Sequence, residues 1–518
     1  MFATPLEIKT SESFDKPTSP DNAKTNGKRL YNAVELFFRQ HAPSKAELAL
    51  WVTYLNIVLY ALCFQLQKPV EPFLVQQLIS SSSRGSDGNE DVISLAYGQL
   101  QSFFSAIQTI GSPLVGILLD RVGIRITSAM VFLASAASYG ILAGASNMHL
   151  LFLSKVPTVL QHAFLVAQAT AATCYSSTEH EGDIHGHPSA DRVLVARAQA
   201  LGRMTTAYTI GATIGPYIGG QLAEHGDLYI GAKLAVMGSL ISVVLSLLFL
   251  PSTSKKPHHT GSLASGKSPA QQGKKTFLQH IIHSATHIAL RPTLWPLLTV
   301  KVFGGVAASM YSTAFPLVLT QQLKFDPAAL GLSMSSSMLA VAVFAAFGIS
   351  PLIRFMGAPS LSKLGLICRA ILGLVLAMIV VLAMPSASES HGNEDMSEPM
   401  IRYQILLTNV LYGIATHALA TSVTTQTTGA VEKDEQGALL GLEHGLFSLA
   451  RIGGPPLGTL LLERGRTGRL ASSGSNSGFW SVAVACGGID MALVALLSST
   501  AIATAVSVSA TGVSDKSK

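Results

Sequence analysis

The feature that most constrains this chain is a set of twelve long apolar runs. They lie at 47–67, 95–119, 126–145, 149–174, 202–223, 229–250, 294–320, 329–352, 360–384, 401–428, 438–462 and 479–506. A helix needs about 20 mostly apolar residues to cross a bilayer, and the runs have that length. Amphipathic helices of a water-soluble protein would show a charged stripe every three or four residues, and these runs do not. Lipid tails cannot hydrogen-bond to the backbone, so a spanning segment must satisfy its own amides, which a helix does. The expected fold is an all-α membrane protein with twelve transmembrane helices. Composition agrees: 12% of the 518 residues are charged, against about 25% in soluble domains. Most runs are rich in Gly, Ala and Ser, which let membrane helices pack closely.

The remaining charges sort the loops by side. The formal charge of +6 gathers between the runs, which makes it a topology signal and not the footprint of a nucleic-acid partner. The stretch 251–293 holds Lys255, Lys256, Lys267, Lys274, Lys275 and Arg291 without an acid, so it reads as cytoplasmic. The loops 79–94 and 385–400 are acidic, with Asp87, Glu90 and Asp91 in one and Glu389, Glu394, Asp395 and Glu398 in the other. They fit the opposite side. The loop 463–478 dissents, with Arg464, Arg466 and Arg469 against Glu463. An even number of crossings puts both termini in the cytoplasm. The first 46 residues are polar, contain acids such as Glu7, Glu12, Asp15 and Asp21, and have no apolar core. Neither a cleaved secretory signal nor a mitochondrial transit peptide is therefore expected. The implied organisation is a cytoplasmic tail (1–46), a six-helix half (47–251), a basic linker (252–293), a second six-helix half (294–507) and a short tail (508–518). Cys63, Cys174, Cys368 and Cys486 fall in or beside apolar runs without metal-ligand spacing, so neither a disulfide framework nor a zinc site is expected.

The two halves repeat. At one ungapped offset, Leu201, Gly202, Gly215, Pro216, Gly219, Leu222, Glu224 and Gly226 meet Leu440, Gly441, Gly454, Pro455, Gly458, Leu461, Glu463 and Gly465. Chance likeness between apolar helices explains shared Leu; it does not explain a shared Gly/Pro/Glu pattern. Two pseudo-symmetric six-helix bundles follow. His162 and His417 form a second echo, each followed by Ala, in the fourth and tenth runs.

Two motifs carry mechanism. Gly116, Asp120, Arg121, Gly123 and Arg125 occupy the join of the second and third helices. There Asp120 can meet a helix terminus or an Arg, and Gly123 permits a tight turn. This is either a charged latch that holds one conformation or an ordinary short basic loop. The fifth helix carries Gly202, Gly211, Gly215, Pro216, Gly219 and Gly220, echoed by Gly454, Pro455 and Gly458 in the eleventh. Glycine faces let helices approach and slide, and proline bends a spanning helix. A pivot between the halves and a static packing face both fit.

The first motif resembles the loop signature of the major facilitator superfamily. The second resembles that superfamily's antiporter motif in full, which suggests its drug/proton antiporter branch. Ser154, Lys155, Pro157, His162 and Gln168, then Val300, Lys301 and Val302, then Gly441, Leu442, Arg451, Gly454 and Pro455 are similar to the organic-cation-transporter-like members of solute carrier family 22. This similarity runs from about residue 50 to 465 and leaves out the N-terminal tail, the long loop 175–200 and the C-terminal end. The resemblance implies a twelve-helix major facilitator fold and alternating access. Two departures stand out. Lys155 replaces the family's usual Arg, turning a fork into a point charge. The second-half loop near Ile353, Arg354 and Phe355 has no acid, so any latch is asymmetric.

Ionisable groups at membrane depth are functional candidates by default. Those expected to line a substrate or proton cavity are Gln67, Lys155, His162, Gln168, Lys301, Asn409, His417, Glu443 and Arg451. Lys68, Glu71 and Asp490 are further charged groups in or near the spans. Lys68, Lys155 and Lys301 can also be read as snorkelling to the interface. His162 and His417 are either satisfied structural residues or a facing pair that carries a proton. Arg451, about 13 residues into its run, needs a partner or water. The candidates are mostly basic, so an anionic, zwitterionic or neutral amphipathic solute fits as well as a cation. The loop from Glu179 to His187 mixes His and acids, and a solvated loop is preferred there to a metal site. No phosphate-binding glycine loop indicates ATP drive, and no nucleophile–base set indicates an enzyme. The expected partners are membrane lipids, a small organic solute and H+, for a monomer with no cofactor. The competing function is a transport-inactive sensor or scaffold on the same fold.

Overall fold

In the computed structural model each apolar run becomes helical, and proline interrupts the helix at two places. The structure describes residues 45–82, 89–181, 190–252, 290–383, 397–431, 436–467 and 478–514. Residues Ala49–Lys518 form one compact unit. The first run is α1 (Lys45–Gln65), which resumes beyond a break at Pro69 as α2 (Glu71–Ser82). Proline lacks an N–H and disfavours helix in the residue before it. Next come α3 (Asn89–Val122) and α4 (Ile124–Ala143). The fourth run is α5 (Met148–Lys155), a 3-10 turn (Val156–Leu160) around Pro157, and α6 (Ala163–Glu181). Then follow α7 (Ala190–Glu224) and α8 (Ile230–Phe249).

The second half has α9 (Trp295–Leu317), prolonged by a π turn (Val318–Gln322), and α10 (Pro327–Val343), which passes through a π turn (Phe344–Gly348) into α11 (Ile349–Met356). It closes with α12 (Ala358–Leu382), α13 (Ser397–Gly429), α14 (Gln436–Thr467) and α15 (Phe479–Ser514). Among the described residues, 10 helices are long and apolar enough to cross a membrane. The other two long ones, α7 with 35 residues and α14 with 32, fall short in hydropathy. Their repeated Gly, Pro and Thr displace aliphatic side chains. The segment 175–200, read as a loop, is largely helical, since α6 runs to Glu181 and α7 starts at Ala190. Loss of apolarity marks the membrane edge there, while Ala, Leu, Arg and Gln keep the helix going.

The outer faces are apolar: Ile110, Met237, Leu248, Phe347 and Met378 are exposed, as lipid contact requires. The same pairings recur in both halves. Within the first, α4 packs on α8 and α1 on α7; within the second, α12 packs on α15 and α9 on α14. Across the halves, α7 meets α10 and α14 meets α3. Gly123 (φ 81°) and Gly357 (φ 77°) are one-residue links between α3 and α4 and between α11 and α12. A left-handed φ at such a turn favours glycine.

Candidate functional site

Three charged clusters lie inside the bundle, and each joins separate helices. In the first half, Lys155 Nζ donates to Glu71 Oε1 at 2.5 Å, and Gln101 Nε2 donates to Glu71 Oε2 at 2.8 Å. Lys68 Nζ stands 3.5 Å from the same carboxylate and lies over the Phe64 and Phe104 rings, 5.1 and 5.6 Å from their centroids. The broken helices explain this pairing. Pro69 makes Glu71 the start of α2, and the turn at Pro157 leaves Lys155 in the last turn of α5. Helix N-termini favour anions and C-termini favour cations. Lys155 therefore sits buried in an ion pair and does not snorkel. Beside it the Gln67 amide is buried with neither its nitrogen nor its oxygen partnered.

The second cluster joins α12 to α15. Arg369 Nε donates to Asp490 Oδ2 at 2.7 Å, Nη2 pairs with Oδ1, and Nη1 donates to the Gly304 carbonyl at 3.0 Å. Both side chains are almost wholly buried. Arg369 is absent from the candidates that the sequence suggests; an Arg within the apolar stretch 358–382 is the signal that points to it.

In the third cluster, Lys301 of α9 pairs with Glu443 of α14 and donates to Thr424 Oγ1 of α13 at 3.0 Å. Glu443 Oε1 is buried without a partner. This pair lines a cavity of about 300 Å³, with Thr416, Phe447 and Arg369 among its walls. Small-solute sites start at about that volume. Arg451 lies two turns further along α14, its guanidinium 6.0 Å from the Phe447 ring. Its neighbour Ile452 accepts through its carbonyl from Ser102 of α3, in the other half.

The remaining candidates scatter. His162 is wedged against Gly111 of α3, its Nε2 buried without a partner. His417 lies on α13 with Thr421 Oγ1 at 3.4 Å, and neither histidine is among the cavity walls. Gln168 is exposed. Asn409 accepts from Tyr311 and donates to Ser337, so it ties α13 to α9 and α10. Of the latch residues, Asp120 and Arg121 are exposed, and Asp120 has no ion pair among the described residues. Arg125 Nε donates to the Leu250 carbonyl at 2.6 Å, capping the end of α8. A Cβ on Gly116 would meet open space, and so would one on Gly202.

The glycine motif of α7 divides its work. Gly211, Gly215 and Gly219 press on Val58, Leu62 and Gln65 of α1 and on Leu66 just beyond it, within the same half. Gly220 and the Pro216 carbonyl instead face Pro327 and Gly331 of α10, across the halves. In the echo, Gly454 and Gly458 abut Ser309 and Met310 of α9, while the Pro455 carbonyl faces Gly98 of α3. Of the stretch from Glu179 to His187, residues 182–187 lie outside the described residues.

The contacts between halves cluster at one end. Ser94 donates to Gln321 at 3.2 Å, Ser102 donates to the Ile452 carbonyl at 2.7 Å, and the Tyr217 amide donates to Ser335 at 2.8 Å. Arg466 pairs with Glu90 and stands 3.6 Å from Asp91, with Lys324 3.9 Å from Glu90. Ser94, Gln321, Arg466, Glu90, Asp91 and Lys324 lie at helix ends opposite to those at residues 252 and 290, and the Ser102–Ile452 contact lies deeper. The cavity, lined by residues 300–308 of α9, Arg369 of α12, 416–424 of α13 and 443–447 of α14, lies within the second half, nearer the opposite ends of those helices.

Paired helical bundles that meet along α7–α10 and α3–α14, with a mainly apolar cavity that holds the Lys301–Glu443 pair in the second half, are the architecture of a membrane transporter. Residues 53–394 match the Major Facilitator Superfamily, and the chain belongs to that family. It is 25% identical over 415 residues to Solute carrier family 22 member 18 of Mus musculus, covering 79% of this chain and 88% of that protein. To Multidrug resistance protein 1 of Bacillus subtilis it is 22% identical over 422 residues, covering 81% and 91%. The crystal structure of the human organic anion transporter MFSD10 (TETRAN) superposes with a TM-score of 0.55 at 17% identity, over 88% of this chain and 100% of that one.

Proposed function

We propose that this protein moves a small organic solute across its membrane by alternating access, coupled to proton antiport. The observation that carries this is the asymmetry between inter-half polar contacts toward one end and, toward the other, a mainly apolar cavity that holds the Lys301–Glu443 pair. By the positive-inside rule, the end with those contacts is extracellular and the described conformation faces inward. Both termini and the linker would be cytoplasmic, with halves at 47–251 and 294–507 rocking about the cleft. The inter-half contacts of α7 with α10 and α14 with α3 form the natural hinge, and the exposed Asp120 is a latch disengaged in this state.

For the proton, Glu443 is the best-placed group. It lines the cavity, has one carboxylate oxygen unpartnered, and is held by Lys301. Protonation would release Lys301 toward solute. His162 and His417 lie away from the cavity walls and are weaker candidates. The resemblance to multidrug resistance protein 1 fits export, but the named relatives differ in what they carry and lend no substrate.

The test is proteoliposome flux with an imposed pH gradient. Wild-type uptake should rise with the gradient, and E443Q should lose that dependence while retaining solute exchange. Flux indifferent to pH in the wild type would make the protein a uniporter.

A further inference from the structure

Most of the charge inside the bundle is balanced. Asp490 answers Arg369, Glu443 answers Lys301, and Glu71 answers Lys155. Two cations remain. Lys68 shares Glu71 at the longer distance of 3.5 Å and donates to the neutral Gln101 amide at 3.4 Å. Arg451 has no carboxylate and no hydrogen-bond acceptor among the described residues; its one named contact is the Phe447 ring. The two come from opposite halves, Lys68 from the break between α1 and α2 and Arg451 from mid-α14. α3 brings them near one another: Gln101 accepts from Lys68, and the next residue, Ser102, donates to the carbonyl of Ile452, the neighbour of Arg451.

An unmatched cation in a membrane interior is costly, and two neighbouring cations more so. The boundary between the halves is therefore built with a counter-ion missing. An Arg fork suits a planar or trigonal oxyanion, and Lys adds a point charge. Phe64 lies beneath Lys68 and Phe447 beside Arg451, which leaves apolar ring faces next to both charges.

We infer that the transported solute is an organic anion, a carboxylate or sulfonate on an apolar body, held by Arg451 and Lys68 between the two halves and by Phe64 and Phe447 at its flank. This rests on the cleft being the transport site. Bound there, the anion removes the repulsion between the halves, so the loaded carrier closes over its solute more readily than the empty one.

Three naphthalene probes of matched shape test this: 2-naphthoate, 2-naphthamide and a 2-naphthyl-trimethylammonium salt. Thermal stability of the full chain is followed in neutral detergent, with and without each probe. Naphthoate should stabilise the wild type more than the other two. R451Q should weaken naphthoate binding about ten- to hundredfold, the range for losing a charged hydrogen-bonded contact, and K68Q should weaken it less. R451Q leaves no carboxylate orphaned, so it should remain monodisperse; R451K should restore part of the affinity. Stabilisation by naphthoate no greater than by the amide overturns the inference, as does preference for the ammonium salt. A further arm adds phosphatidylglycerol. If that lipid stabilises through Arg451 while naphthoate does not, the cleft binds a headgroup and the solute assignment falls. Naphthoate binding without flux in proteoliposomes would sink the transporter reading and leave the anion site standing.

Discussion

The ion pair of Arg369 and Asp490 shows how a single residue is judged by its surroundings. Both are nearly inaccessible, and the guanidinium spends three donors on the carboxylate and the Gly304 carbonyl. Breaking a buried pair from one side leaves a lone charge and costs about 3–5 kcal/mol. D490N should lower the thermal unfolding temperature in detergent sharply, while R369M/D490L together should come close to wild type, because two apolar groups replace two matched charges. If the double variant were as damaged as the single one, the pair would have a role beyond mutual neutralisation. The Lys155 pair with Glu71 differs: Lys68 shares the same carboxylate and the unpartnered Gln67 amide lies beside it, where exchange of partners is easier.

Helix α7 carries its glycines for two different neighbours, and substitution should separate them. A Cβ at Gly219 would run into the Leu66 carbonyl, which is backbone and cannot step aside. Overpacking of that kind costs about 1–3 kcal/mol. A Cβ at Gly202 meets nothing within 4 Å, and Ala gains about 1 kcal/mol over Gly inside a helix. G219A should therefore destabilise and G202A stabilise, read as opposite shifts in thermal unfolding. Equal shifts would mean that α1 and α7 are not in close contact. Along the chain these glycines look like one face. Their spacing tells of close packing, but the direction in which each points depends on where α1 and α10 lie around α7.

For the molecule as a whole, the sealed end should govern the balance of conformations. Arg466, Glu90, Asp91 and Lys324 make a charged clasp that is partly exposed. Exposed pairs contribute about 0–1 kcal/mol each, so removing Arg466, which makes two of the three, should shift the population by up to about thirtyfold and not lock it. A cysteine at Ser102, which bonds across the halves to the Ile452 carbonyl, reports the opening. With R466A present, an impermeant thiol reagent applied outside should label S102C several-fold faster. Unchanged labelling would place the clasp outside the gating motion. Tags inserted in the 385–400 loop and in the basic linker should be reached from opposite sides of the membrane; access from the same side would overturn the topology.

The spanning helices and their duplication are legible in the order of amino acids. Length, apolarity and a Gly/Pro echo are local or periodic properties, and lipid leaves helices as the one economical way to satisfy each backbone. The membrane-edge segments of α6 and α7 read as loop for the same reason: hydropathy reports the solvent, not the helix. Which charges meet is a matter of three-dimensional packing. Glu71 and Lys155 are 84 positions apart, Arg369 and Asp490 are 121 apart, and no linear pattern relates such partners. Whether an intramembrane Lys is neutralised, and whether Arg451 stands unmatched, follows from the rotation of each helix about its axis, which is set by packing against neighbours that the chain reaches only after folding back on itself.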